Sequence, residues 1–181
     1  MPHPNFFIVG APKCGTTSLY HWLRERPDVF LPFAHDRYWR FKEPYRFCPD
    51  LVAPPHRVEA DEYERMFDQA GDAPHRGDAS AIHLLSDEAA GRIRNYAPDA
   101  RIIICLRHPA EFLVAWWRDC LYWGHDDEID FERAIDPARD ARALPARCWY
   151  PKAVDYRRAA RLSLHVRRFL DAFPASQVHF V

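Results

Sequence analysis

Lys13 lies two places ahead of Gly15, and three hydroxyl residues, Thr16, Thr17 and Ser18, follow the glycine directly. These types in this order suit the holding of an anion. Gly10 and Gly15 allow a tight turn and close approach of the backbone to a ligand. The free N–H groups of a helix start, together with its dipole, favour a phosphate. The hydroxyls add donors, and Lys13 adds a mobile positive charge. The stretch is not a Walker A loop, which ends in Gly-Lys-Ser/Thr; here the lysine precedes the glycine. Cys14 is no phosphatase nucleophile either, because such sites place an arginine six residues on, where this chain has Tyr20.

A second cation of interest is Arg107. It follows Ile102-Ile103-Ile104-Cys105-Leu106, an apolar run that suits a strand buried on both faces. In a parallel sheet, ligands bind beyond the carboxyl ends of strands. A guanidinium there can bond two oxygens of a phosphate monoester at once. His125-Asp126-Asp127-Glu128 reads as a solvated loop rather than a metal cluster, and Trp116 and Trp117 read as core and helix-face residues. Arg157, Arg158, Arg161, Arg167 and Arg168 read as a solvated face paired with acids.

The elements that must position these residues follow from pattern. Asn5 to Val9 reads as the first strand, and Thr16 to Glu25 as a helix stopped before Pro27. Leu31 to Pro55 is rich in proline and aromatics and reads as a long irregular segment, the kind that tends to be functional. Asp61 to Ala70 reads as a helix, with Asp61 and Glu64 at capping-box spacing. Another helix is expected from Ser86, with Asp87 and Glu88 in its first turn, ending before Pro98. A strand is expected over Arg101 to Leu106, then a helix over Pro109 to Trp123. A long helix is expected over Lys152 to Phe173, and a closing strand over Gln177 to Val181. Strands alternating with helices imply an α/β domain with a mainly parallel central sheet flanked by helices.

The 181 residues suit one domain, residues 1–181, and 48% hydrophobic with 14% aromatic residues supply a core. The formal net charge of -1 argues against nucleic-acid binding. Five cysteines without a C-x-x-C pair argue against a disulfide framework or a zinc site, and are read as reduced thiols of a cytoplasmic protein. Phe6 to Val9 is far too short to span a bilayer. The last residues read as a core strand with nothing behind it, so the expectation is of a domain cut short at its C-terminal end, with self-association allowed at Val181.

Pro12-Lys13-Cys14-Gly15-Thr16-Thr17-Ser18-Leu19 resembles the 5'-phosphosulfate-binding loop of sulfotransferases that use 3'-phosphoadenosine 5'-phosphosulfate (PAPS). Tyr20-His21-Trp22-Leu23 and Arg26-Pro27-Asp28-Val29 resemble the same family, above all its bacterial and heparan-sulfate-type branches. The resemblance implies a P-loop-containing nucleotide-binding fold, α/β with a mainly parallel central sheet flanked by helices, and implies that Pro12, Lys13, Cys14, Gly15, Thr16, Thr17 and Ser18 bind the donor. It implies that Lys13 neutralises the leaving oxygen and that Arg107 grips the 3'-phosphate. Phe41-Lys42-Glu43-Pro44 resembles the family's lysine–glutamate–proline segment, which makes Glu43 the base for the acceptor. On the residues alone, Lys42 and Glu43 are a solvated pair on a loop. Arg76-Gly77-Asp78-Ala79-Ser80 resembles a segment near the family's acceptor site; as residues, it reads equally as a plain turn.

The family places a serine eight residues after the arginine, where this chain has Ala115. A lost bond to a charged group is worth about 1.5–3 kcal/mol. The family also continues beyond the last strand with helices and a basic loop that closes over the donor. The implied chemistry needs PAPS as co-substrate, yields 3'-phosphoadenosine 5'-phosphate (PAP), uses no metal, and takes a hydroxyl- or amine-bearing acceptor, whether a carbohydrate or a small molecule. The rivals are a truncated, non-catalytic nucleotide-binding module and a P-loop kinase of a small molecule.

Overall fold

The computed structural model describes residues 3–33, 42–54, 56–139 and 144–181. Strand β1 (Phe6–Gly10) is buried along its whole length. Its side chains alternate: Phe7 and Val9 enter the larger core with Ile102, Ile104, Leu84 and Phe112, while Phe6 and Ile8 enter a smaller one with Tyr20 and Leu31. A strand filled on both faces sits at the centre of a parallel sheet, and β1 does. With β2 (Val29–Phe30), β3 (His75–Asp78), β4 (Arg101–Ile104) and β5 (Val178–Phe180), the order is β2-β3-β1-β4-β5, every pairing parallel.

The chain adds β2 and β3 on one side of β1, then β4 and β5 on the other. The reversal places a crevice beyond the carboxyl ends of β1 and β4, where open α/β sheets bind ligands. The α/β fold expected from the sequence is observed, and β5 pairs with β4 through Ile102 with Val178 and Ile104 with Phe180. The short strands β2 and β3 carry no periodic signal; Arg76-Gly77-Asp78, read as a turn, lies in β3.

Among the helices, α1 (Thr16–Arg24) starts where expected. Helix α2 is shorter than expected, Ala60–Arg65, with a 3₁₀ turn at Asp68–Ala70. The expected capping box is not formed: Glu59 is the N-cap and makes no side-chain cap bond, and Glu64 instead accepts from the Tyr96 hydroxyl at 2.7 Å. Helix α3 begins at Ala89 and ends at Tyr96. Ser86 Oγ accepts the amides of Glu88 and Ala89 at 3.1 and 3.0 Å, so it tethers the approach to the helix from just outside it. Asp87 lies ahead of the first turn and pairs with Arg158 and Arg168.

Helix α4 spans Pro109–Trp123 as expected, closed by Gly124 in a left-handed conformation. A short α5 (Phe131–Ala134) follows. The long helix expected over Lys152 to Phe173 is broken into a 3₁₀ turn (Pro151–Ala153), α6 (Tyr156–Ala159) and α7 (Leu162–Ala172). The Asp155 carboxylate accepts the Arg158 amide and starts α6, and Arg161 has ψ 53°, outside the helical range, which separates α6 from α7. The apolar period holds only over the α7 residues.

Gly10 is fixed by space as well as by its φ of 142°. A Cβ there would run into the Ala81 carbonyl oxygen and the Leu84 Cβ. Gly10→Ala is therefore expected to cost about 2 kcal/mol or more, measured by urea unfolding. His83 lies fully buried with neither ring nitrogen bonded among the described residues. Burial pulls its pKa below the usual histidine value, against the opposing pull of Asp78, Glu43 and Asp50. A lowered folded-state pKa means that stability is full above the ordinary histidine pKa and is lost as pH falls through and below it. The free energy of unfolding, read by urea titration, should fall between pH 7 and 5 with a slope of at most about 1.4 kcal/mol per pH unit per histidine. His83→Leu should flatten that slope; His125 and His165, also lowered by burial, would retain part of it.

Candidate functional site

The loop from Gly10 to Gly15 is stitched to the end of β4. Cys105 N donates to the Gly10 carbonyl at 2.6 Å, and Ala11 N donates to the Cys105 carbonyl at 2.7 Å. Gly15, with φ 86°, is the N-cap of α1 and offers no side-chain cap; no acidic residue occupies the first turn. The first amides of a helix have no partner inside it, so the start of α1 presents unclaimed donors to an anion. Thr17 and Ser18 are exposed there, while Thr16 is buried.

Lys13 is exposed, with its backbone in the left-handed region at φ 59°. Its Nζ donates to Asp119 Oδ1 on α4 at 2.7 Å. Arg107 reaches the same loop: Nη1 donates to the Lys13 carbonyl at 3.2 Å, and Nη2 donates to Glu111 at 2.8 Å. The surface-carboxylate pairing that an arginine in this position could adopt therefore exists, but it coexists with the loop contact. Arg107 also draws the Glu111 carboxyl below its usual pKa, first by hydrogen bonding and then by charge. Ala115, two turns along α4, offers no hydroxyl. Cys14 is half-buried, and burial pushes its thiol up to about 11 despite the nearby Arg107. It is a protonated thiol at neutral pH, not a nucleophile.

Glu43 comes to the cavity from the irregular segment that follows β2. Lys42 is buried, and its Nζ donates to Glu43 Oε1 at 2.6 Å. A solvated pair was the reading from the residues alone; the burial of Lys42 corrects it. The segment is anchored from β3. Asp78, itself buried, accepts the Tyr63 hydroxyl at 2.9 Å and the Ser80 amide at 2.7 Å, and Ser80 Oγ accepts the Tyr45 amide at 3.2 Å. Asp78 and Ser80 thus position the Glu43 segment.

Lys13 and Glu43 meet at one cavity of about 340 Å³, lined also by Pro12, Gly15, Thr16 and Thr17. Its other wall is aromatic: Tyr45, Trp116, Trp123, Trp149 and Tyr150, with His125 and Asp119. Of the residues singled out from the sequence, Cys14, Ser18 and Arg107 do not line this cavity. Cys14 packs against the core, and Arg107 lies behind the loop. Of the aromatic residues in the irregular Leu31 to Pro55 segment, Tyr38, Trp39 and Phe41 lie outside the described residues, and Tyr45 lines the cavity. Trp116 is core, its indole N–H donating to the Ala153 carbonyl at 2.8 Å, and it faces the cavity as well. Trp149 and Tyr150 were not singled out from the sequence. Their only signal was aromatic content beside Pro151.

The loop after α4 is not the solvated one expected. His125 and Asp126 are buried. Asp126 takes a two-pronged contact from Arg139, the Tyr156 hydroxyl at 2.6 Å, and the amides of Asp127 and Glu128. Burial opposes ionisation of Asp126, but these donors outweigh it and hold its carboxyl below the usual pKa. Among the described residues no group of three or more His, Cys, Asp or Glu could hold a metal ion.

The fold and the loop define an α/β domain in which the Gly10–Gly15 loop and the start of α1 lie at the switch point of a parallel sheet. No family model matches the chain. It is 26% identical over 172 residues to carbohydrate sulfotransferase 15 of Homo sapiens, covering 75% of this chain and 30% of that protein. It is 27% identical over 185 residues to the bifunctional heparan sulfate N-deacetylase/N-sulfotransferase 1 of Mus musculus, covering 97% of this chain and 19% of that protein. The crystal structure of a sulfotransferase from Alicyclobacillus acidocaldarius superposes with a TM-score of 0.77 at 28% identity, covering 100% of this chain and 73% of that one. The chain is similar in sequence to these sulfotransferases and shares the fold of the Alicyclobacillus acidocaldarius one. It spans less than a third of the length of these curated relatives.

Removing the carboxylate that organises the cavity's far wall should be costly. Asp126→Ala leaves the Arg139 guanidinium and the Tyr156 hydroxyl without their partner, and breaking a buried pair typically costs about 3–5 kcal/mol. Arg139 is part-exposed, so the lower end is expected, read as a fall in the urea midpoint. Because the Asp126 pKa is lowered on folding, its contribution is present above the ordinary aspartate pKa and disappears as pH falls through the folded value.

Proposed function

We propose that this domain binds PAPS and transfers its sulfuryl group to a hydroxyl or amine of an acceptor held in the aromatic cavity. The observation that carries the reading is the meeting of Lys13 and Glu43, far apart in sequence, at one cavity lined by the start of α1. The loop amides with Thr16, Thr17 and Ser18 hold the 5'-phosphosulfate. Arg107, at the end of β4 and against the same loop, takes the 3'-phosphate. Glu43 accepts the acceptor's proton as the new O–S or N–S bond forms. The bond from sulfur to the bridging oxygen breaks, and Lys13 neutralises the charge that this oxygen gains. Positioning and fixed charge supply most of such catalysis, and the scheme uses no metal.

The names of the relatives support a carbohydrate acceptor, and rings such as Trp123 and Trp149 suit the apolar faces of a sugar or of another compact molecule. Free cysteines support a reducing, cytoplasmic setting; among the described residues no helix is long and apolar enough to cross a membrane. Ala115 favours a second reading, a module that binds the nucleotide without turnover.

The test is calorimetric titration with PAP, with ATP plus magnesium as comparison. PAP should bind, and Arg107→Ala should weaken it by roughly ten- to hundredfold, the loss of about 1.5–3 kcal/mol of charged hydrogen bonding. Lys13→Ala should abolish transfer from PAPS to a panel of hydroxyl and amine acceptors. PAP binding without transfer to any acceptor would give the second reading. No PAP binding by folded protein, or normal transfer by Lys13→Ala, would overturn the first.

A further inference from the structure

We infer that Asp119 is a positioning residue for Lys13: without donor it holds the lysine's ammonium, and it competes with the donor's phosphate for it. The inference rests on the donor reading above. Three observations carry it. First, the contact is direct, 2.7 Å from Lys13 Nζ to Asp119 Oδ1, and joins residues far apart in sequence. Second, Asp119 lies on α4 between Trp116 and Trp123, and all three line the cavity beside Lys13. Its carboxylate thus stands where the lysine must pass. Third, the start of α1 has no acidic residue or side-chain cap of its own, so this carboxylate is the protein anion that the fold sets against the loop's lysine.

Helix α4 treats the other donor cation alike, pairing Arg107 with Glu111. That pair is more open: Glu111 is 63% exposed against 18% for Asp119. Solvent and salt weaken the Glu111 pair most, so the Asp119 contact is the one that should register in binding. A phosphate with several charged oxygens outbids one carboxylate for an ammonium, and Lys13, with its end 43% exposed, is free to swing. Asp119 therefore lowers donor affinity while keeping the lysine extended beside the reacting position.

The experiment compares wild type with Asp119→Asn, which keeps the shape and removes the charge, and with Asp119→Ser as a second neutral variant. PAP is titrated calorimetrically at low ionic strength, and circular dichroism confirms the fold. Both variants should bind PAP roughly three- to tenfold more tightly than wild type; a merely structural role for Asp119 would loosen binding instead. In the wild-type chain, amine acylation mapped by mass spectrometry gives a second readout. Lys13, engaged by Asp119, should react more slowly than exposed Lys152, and Asp119→Asn should remove the difference. Unchanged or weaker PAP binding by the folded variants, or equal reactivity of Lys13 and Lys152 in wild type, would overturn the inference and leave the donor site standing. PAP binding by no variant, wild type included, would remove the donor reading and this inference with it.

Discussion

Two hydrogen bonds between the end of β1 and the end of β4 set the geometry on which the site depends. Through Cys105 N to the Gly10 carbonyl and Ala11 N to the Cys105 carbonyl, the Gly10–Gly15 loop is fastened where it leaves the sheet. The same join brings Arg107, two residues beyond Cys105, against the carbonyl of Lys13. Gly10 must lack a side chain because the 3₁₀ turn at Ala81 packs directly on it. The loop, the arginine and the turn are thus fastened at one point, and α1 starts from there with its amides facing outward.

The Glu43 side of the site is organised differently. It depends on side chains rather than on ladder bonds. Asp78 and Ser80, at the end of β3, hold Tyr45, and buried Lys42 orients the glutamate. The third wall, around His125 and Tyr150, is fastened by Asp126 to Arg139 and Tyr156. A parallel sheet thus supplies the rigid base; buried Asp78, in β3, ties one irregular segment to it, and buried Asp126 ties the segments around Arg139 and Tyr156 to each other. Irregular backbone at a binding site needs such ties, since it lacks a ladder of its own.

The parts legible in the sequence were those with a local cause. The apolar runs of β1 and β4, the Gly15 start of α1, and α4 between Pro109 and Gly124 all follow from short-range chemistry. The resemblance singles out the loop residues and Glu43, and Lys13 and Glu43 line one cavity. The unread parts have long-range causes. Strands β2 and β3 are too short to show a period. Asp126 reads as polar and becomes buried only because Arg139 and Tyr156 fold onto it. The expected helix over Lys152 to Phe173 breaks because Asp155 caps a new turn inside it. Asp119 resembles any exposed acid on a helix until the fold sets it on Lys13.

Three of the chain's six tryptophans, Trp116, Trp123 and Trp149, stand in the wall of a single cavity. Indole emission depends on the polarity and contacts of the ring, and two of these rings are substantially open to water. A molecule that entered would displace that water from several emitters at once. The protein therefore carries a built-in optical reporter of occupancy, so that entry into the cavity can be followed without a label and before any reaction is known.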